Sequence, residues 1–296
     1  GFQRDVVSGQ IVTYGWIGID TDVVPAAVRS AMATKRTPPA VPTDLPDDLF
    51  SVKSFRVEAE AGLAWLRAVA QRDPDGPLRN FEFWLHEFEA RTERDVERDI
   101  VAPLGERGVV IMLAGDGAAD PAIDVVAIID ADDPPRLQAS LVDLCDWLGE
   151  QVWGRSLGLV LPRTSRTRSG DDVVHGIEFR TLLGSFNGPL FQLAGDHLVV
   201  ALDPRGLQLG VELAATADTW VTPAWAMGLE GSADEIVLVR MGALGRVLAS
   251  EPVYADDDPW FVEAIAEFLE GSGDGRLSVF WEPQGFRFAG HLQLDG

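Results

Sequence analysis

The sequence predicts an α+β fold in which largely antiparallel sheets carry packed helices, and three observations point there. First, one unit occurs twice. Leu113-Ala114-Gly115-Asp116 leads through Val125-Val126-Ala127-Ile128-Ile129 into Asp133-Pro134-Pro135-Arg136-Leu137-Gln138. Leu193-Ala194-Gly195-Asp196 leads through Leu198-Val199-Val200-Ala201-Leu202 into Asp203-Pro204-Arg205-Gly206-Leu207-Gln208. Both copies read as turn, buried strand, Asp N-cap with Pro at the first helical position, then helix, which gives two similar strand-turn-strand-helix units. Second, strands stand beside strands as often as beside helices, a pattern of antiparallel rather than doubly wound parallel sheet. Third, no nucleotide-binding fingerprint follows any strand.

Taken in order, Gln10 to Asp20 is a β-branched and aromatic run that reads as a strand, and Pro25 then opens a helix to about Thr34. Residues 35–48, with Pro38, Pro39, Pro42 and Pro46, read as a Pro-rich loop. Val57 to Val69 and Leu78 to Leu104 have helical spacing, the second stopped by Pro103 and Gly105. Val109 to Leu113 reads as a short buried strand, and the first copy of the unit follows. Leu157 to Pro162 and Asp172 to Arg180 are strand candidates joined by the arginine-rich stretch Arg163 to Gly170. Gly195 suits the first position of a type II′ hairpin turn. Ile236 to Arg240 is a strand before a helix from Met241 to Ala249, a second helix follows Asp258-Pro259, and the chain closes on a hairpin turning at Glu282 to Gly285.

With 296 residues and 46% hydrophobic content, the chain can bury a sizeable core. It reads as a single domain, 1–296, or as two similar lobes of about 1–155 and 156–296. The formal net charge of -23 repels nucleic acid and anionic lipid and favours cations or basic partners. No apolar run is long enough to span a bilayer, so no transmembrane segment is expected. Cys145 is the one cysteine, which excludes an intrachain disulfide and a thiolate metal site; its spacing puts it beside an apolar helix face as an inert thiol.

Two aspartate clusters, Asp130, Asp132 and Asp133, and Asp256, Asp257 and Asp258, offer oxygen ligands of the kind Ca²⁺ takes. Each also stands directly before a Pro-started helix, where an aspartate caps free N–H groups, and that role is the one assigned here. Neither cluster matches an EF-hand loop. Among the histidines, His86 and His175 sit among apolar residues, His197 flanks a turn and His291 lies on a solvent face; no paired His spacing suggests zinc. An acidic chain with nine tryptophans is compatible with glycoside hydrolysis, but no carboxyl is marked as the acid, and no G-x-S-x-G nucleophile motif occurs. The basic stretch Arg163 to Arg168 is expected to pair with neighbouring acidic surface.

Asp95-Val96-Glu97-Arg98-Asp99-Ile100, then Pro103-Leu104-Gly105-Glu106 before a strand, and Phe191 to Ala201 before a helix, resemble the pattern of a bacterial family of exported proteins that carries only a domain-of-unknown-function label. The resemblance covers about Ile11 to Leu294. It implies an extracytoplasmic location, in the periplasm or cell envelope, and brings no catalytic residues with it.

The functional expectation is therefore a non-enzymatic exported interaction or structural domain, with a protein or small-molecule partner and no catalytic residues. The alternative is a carrier or sensor holding an apolar or sugar ligand in an inter-lobe cavity lined by some of Trp16, Trp65, Trp84 and Trp225. A metal-dependent hydrolase is the third reading.

Overall fold

The computed structural model describes residues 2–7, 10–20, 22–34, 39–73, 75–114, 123–150, 161–169, 172–181, 184–223, 227–228, 231–250, 259–282 and 284–294. In chain order the strands are β1 (Phe2–Val7), β2 (Gln10–Gly18), β3 (Leu49–Arg56), β4 (Leu104–Ala114), β5 (Ile123–Ala131), β6 (Leu161–Ser169), β7 (Asp172–Thr181), β8 (Gly184–Ala194), β9 (His197–Ala201), β10 (Met227–Gly228), β11 (Gly231–Ser232), β12 (Glu235–Val239), β13 (Ser272–Glu282) and β14 (Gly285–Leu294). The helices are α1 (Ala26–Ala33), α2 (Ala59–Arg72), α3 (Phe81–Thr92), α4 (Pro134–Glu150), α5 (Pro204–Ala214), α6 (Met241–Ser250) and α7 (Pro259–Glu270), with a π-helical turn at Glu97–Val101 and a 3₁₀ turn at Ala217–Thr219.

Twelve strands form one sheet in the order β1-β2-β14-β13-β12-β3-β4-β5-β9-β8-β7-β6, while β10 and β11 make a separate small hairpin. Every pairing in the large sheet is antiparallel. The fold is α+β, as the sequence predicts. Strands from the two halves of the chain are interleaved, because β2 pairs with β14 and β3 with β12.

The pleat sorts the core onto two faces. On the front, Val52, Val109, Ile111, Val126, Ile128, Val199, Ala201 and Ile236 pack under Leu207, Leu213 and Ala214 of α5. On the back, Ala131, Phe191 and Leu198 meet Leu137 and Cys145 of α4, while Phe50 and Met112 meet Ala243 of α6. A further cluster joins α2, α3, the π turn and α4 through Leu63, Phe88, Val101 and Trp147, where Trp84 and Phe88 set their rings edge-on to Trp147. Cys145 is buried, and burial pushes its thiol up to about 11, which leaves it inert at neutral pH.

The two stretches of similar sequence lie side by side. Their strands β5 and β9 are antiparallel neighbours, with Val126 opposite Ala201, Ile128 opposite Val199 and Asp130 opposite His197. Their helices pack on opposite faces of the sheet, so the similarity is one of local construction. Both caps form: Asp133 Oδ1 accepts from the Arg136 N–H at 3.3 Å, and Asp203 Oδ1 accepts from the Gly206 N–H at 2.8 Å. Ala194 and His197 pair across a two-residue turn in which Gly195 has φ of 60° and Asp196 does not have positive φ, the type II′ pattern. The first copy's turn, residues 115–120, and the cap at Asp258 lie outside the described residues.

Several elements differ from the sequence expectation. β1 and β3 were not anticipated; in β3 the buried Ser54 and Arg56 interrupt the apolar alternation that would have marked it. The helical pattern from Leu78 to Leu104 breaks at Glu93, which is left-handed at φ of 58°, and resumes as the π turn before β4 begins at Leu104. The arginine-rich stretch is a strand, β6, instead of a connection, and it forms one edge of the sheet. β8 extends back to Gly184 and carries Pro189 at a bulge, where the missing N–H breaks no ladder hydrogen bond.

Candidate functional site

Charged side chains gather where β4 and β9 begin and β5 ends. Register places Asp130 opposite His197, and Arg107 reaches across from β4. The Arg107 guanidinium donates to Asp130 Oδ2 at 2.6 Å, and His197 Nε2 lies 3.4 Å from Asp130 Oδ1. Burial raises the Asp130 carboxyl, but the contacts with His197 and Arg107 outweigh it and hold the carboxyl below its ordinary value. His197 is mostly buried, and its ring centroid lies 6.5 Å from that of Trp220.

A second knot lies beside this row. Asp99, in the π turn, is 2% exposed and accepts from Arg98, from Arg136 of α4 and from the Asp95 N–H at 2.8 Å. The Arg98 hydrogen bond is the largest influence, and with the others it overcomes burial to hold the carboxyl well below the usual carboxylate range. The π turn is thereby tied to the start of α4.

An open groove of about 480 Å³ begins at His197. Its floor is the β8–β9 hairpin, including Gln192 and Asp196, and its wall is the C-terminal half of α5 with Ala217 and Asp218 of the 3₁₀ turn. A smaller groove of about 260 Å³ on the other face is mostly apolar, lined by residues such as Ile11, Val237, Met241, Leu277 and Leu292.

The residues singled out in the sequence do not share one site. Trp16 on β2 and Trp65 on α2 are 43% and 52% exposed, Trp84 packs in the α3–α4 cluster, and none of the three lines either groove. Trp225 lies outside the described residues, as do Asp256, Asp257 and Asp258. Asp130 belongs to the Arg107–His197 row, the Asp132 N–H donates to the Pro103 carbonyl at 2.8 Å, and Asp133 caps α4. No group of three or more His, Cys, Asp or Glu that could hold a metal ion occurs among the described residues.

His86 is exposed rather than set in the core, because it lies on the outer side of α3. His175 is buried and stacks on Phe191 at 5.0 Å between centroids, and His291 meets Tyr14 edge-on. Sequence reasoning missed Gln192, Arg107 and Asp218. The first two lie on strands whose neighbours are set by long-range register, while the spacing of Gln192 before the Gly195 turn was the available signal. No family model, curated protein or solved structure matches the chain.

Proposed function

We propose that this chain is a non-enzymatic, extracytoplasmic interaction domain that receives an extended segment of a partner protein at the β1 edge of its sheet. The observation that carries the reading is the contrast between the two edges. At the β6 edge the sequence places Arg163, Arg166 and Arg168, charges of the kind that guard an edge against pairing. At the other edge, hairpin β1–β2 presents Val6 (70% exposed), Tyr14, Trp16 and Ile17 to solvent. An edge strand with exposed apolar and aromatic neighbours suits strand addition, in which main-chain hydrogen bonds supply affinity and side chains supply selectivity. The internal pairing of Asp99, Asp130 and Asp234 with arginines supports a structural use of those charges. The extracytoplasmic location rests on the resemblance read in the sequence.

The test is selection from a random peptide library against the intact chain. Enrichment of alternating apolar sequences, with binding lost in Trp16→Ser and retained in Trp65→Ser, is the expected result. Saturable turnover of any substrate class, abolished by one point change, would overturn the reading.

A second reading, a carrier of an apolar ligand, draws support from the 260 Å³ groove between Met241 and the β12–β14 surface. The metal-dependent hydrolase reading has no comparable support among the described residues.

A further inference from the structure

The groove beside His197 has the features of a built site. Gln192 is 7% exposed, lines the groove, and makes no side-chain hydrogen bond among the described residues. A primary amide holds two donors and a two-lone-pair acceptor, and on this mostly buried residue they are left for whatever occupies the groove, water or ligand. Its neighbours in the sheet explain its placement. Gln192 pairs with Val199, which is fully buried under α5, so the side chain is carried on the covered face of β8, where it lines the groove.

The walls define the chemistry of an occupant. Asp196 and Asp218 are exposed at the rim, and neither forms an ion pair among the described residues. The groove also runs along the C-terminal end of α5, where the helix dipole is negative. Val211, Ala214 and Ala215 add a short apolar wall to the same groove. The net charge of the whole chain, -23, adds a long-range field of the same sign.

We propose that this groove binds an alkyl chain ending in an ammonium or guanidinium group. The cationic end is met by Asp196 and Asp218, the methylenes lie on Ala214 and Ala215, and a hydrogen-bonding group along the chain is taken by the Gln192 amide. His197, fixed by Asp130, is a positioning residue at the inner end. This site is separate from the β1 edge and does not depend on the interaction proposed there.

The same chemistry is carried by a free amine or by a basic side chain in a peptide, so both are used as probes. Isothermal titration of the intact chain with agmatine, and separately with acetyl-Gly-Arg-Gly-amide, is run at physiological ionic strength. Acetyl-Gly-citrulline-Gly-amide is the uncharged control. The expected result is one-to-one binding of at least one cationic probe, weakened about tenfold in Asp218→Asn and in Gln192→Leu, and unchanged in Asp274→Asn, which removes an exposed charge from β13. Agmatine alone binding assigns a free amine; the peptide alone binding assigns a basic segment. Shift of the Gln192 side-chain amide resonances on titration gives a readout that general charge attraction would not move. Absence of binding by both probes, equal binding of the citrulline control, or equal weakening by Asp218→Asn and Asp274→Asn would overturn the proposal.

Discussion

The carboxyl of Asp124, at the start of β5, lies buried against Asp203, the cap of α5, and neither of its oxygens has a well-formed hydrogen bond among the described residues. Two carboxylates in contact cannot both ionise at low cost. A proton held between them removes the conflict, letting Asp124 donate to Asp203 while Asp203 still accepts from the Gly206 N–H. Burial, then the Asp203 charge, pushes Asp124 up to about 6, and nearby backbone N–H groups of Val125 and Leu202 offset only part of this.

A pH dependence with a definite sign follows. Because the folded value is raised, the contribution of Asp124 is fully present below the ordinary aspartate range near 4 and is lost as pH rises through about 6. Asp124→Asn keeps the donor and cannot ionise. Relative to the parent, the variant is expected to gain on the order of 2–3 kcal/mol between pH 4 and pH 7.5, measured as the difference of two denaturant-unfolding series. A constant difference across that range would refute the shared-proton account.

Gly206 tests the same contact sterically. A Cβ there would overlap the Asp124 carboxyl, so the α5 helix sits this close only because residue 206 has no side chain. Gly206→Ala is expected to cost about 1–3 kcal/mol despite the better helix propensity of alanine. Adding Asp124→Ala should recover part of that loss, and a double-mutant cycle showing no coupling would count against direct contact.

Arg56 is a heavily committed cation. It is 5% exposed, donates to the carbonyls of Ala31 and Thr34 at the end of α1, pairs with Asp234 and Glu58, and lies over the Trp281 ring. One guanidinium thus fastens α1 to the sheet through β3. Arg56→Met should cost about 3–5 kcal/mol, since it strands buried acceptors and an unpaired carboxylate. Arg56→Lys is expected to recover little, because an ammonium cannot serve the same fork of acceptors. Thermal unfolding of the three proteins decides the order.

The two caps are alike in sequence and should differ in response. Asp133→Ala removes a cap and is expected to cost about 1 kcal/mol. Asp203→Ala removes a cap and also the charge that crowds Asp124, so its cost at pH 7.5 should be smaller than that of Asp133→Ala and should grow toward pH 5. Equal costs at both pH values would mean that Asp203 acts on α5 alone.

What was legible in the sequence was local. The Asp-Pro caps, the Gly195 turn, α1, α5 and the final hairpin depend on residues a few positions apart, where dihedral preference and capping act. β3 is hidden because its inward positions include Ser54 and Arg56, and Arg56 is held there by Asp234, far along the chain, together with Glu58 and the end of α1. Asp130 and His197 were each visible as residues of interest, but their pairing needs β5 and β9 to be neighbours, and Arg107 enters through a third strand. The opposite placement of α4 and α5 is hidden for a related reason: similar motifs encode how a helix starts and leave to tertiary packing the face on which it lands. Asp124 looked like any strand-end carboxylate until α5 covered it.

The joint between β2 and β14, which sets Gln10 beside Gln293, has a bearing on how the molecule is made. During synthesis the β1–β2 hairpin emerges well before β14 and must wait for all the strands and helices between them before this neighbour exists. An isolated two-stranded hairpin is marginal in water, so until then this segment is a loose end carrying Tyr14, Trp16 and Ile17. Shortening the chain to remove β14 would return the hairpin to that state, and protease cleavage between β2 and α1 would then report the loss at a site remote in sequence from the deletion.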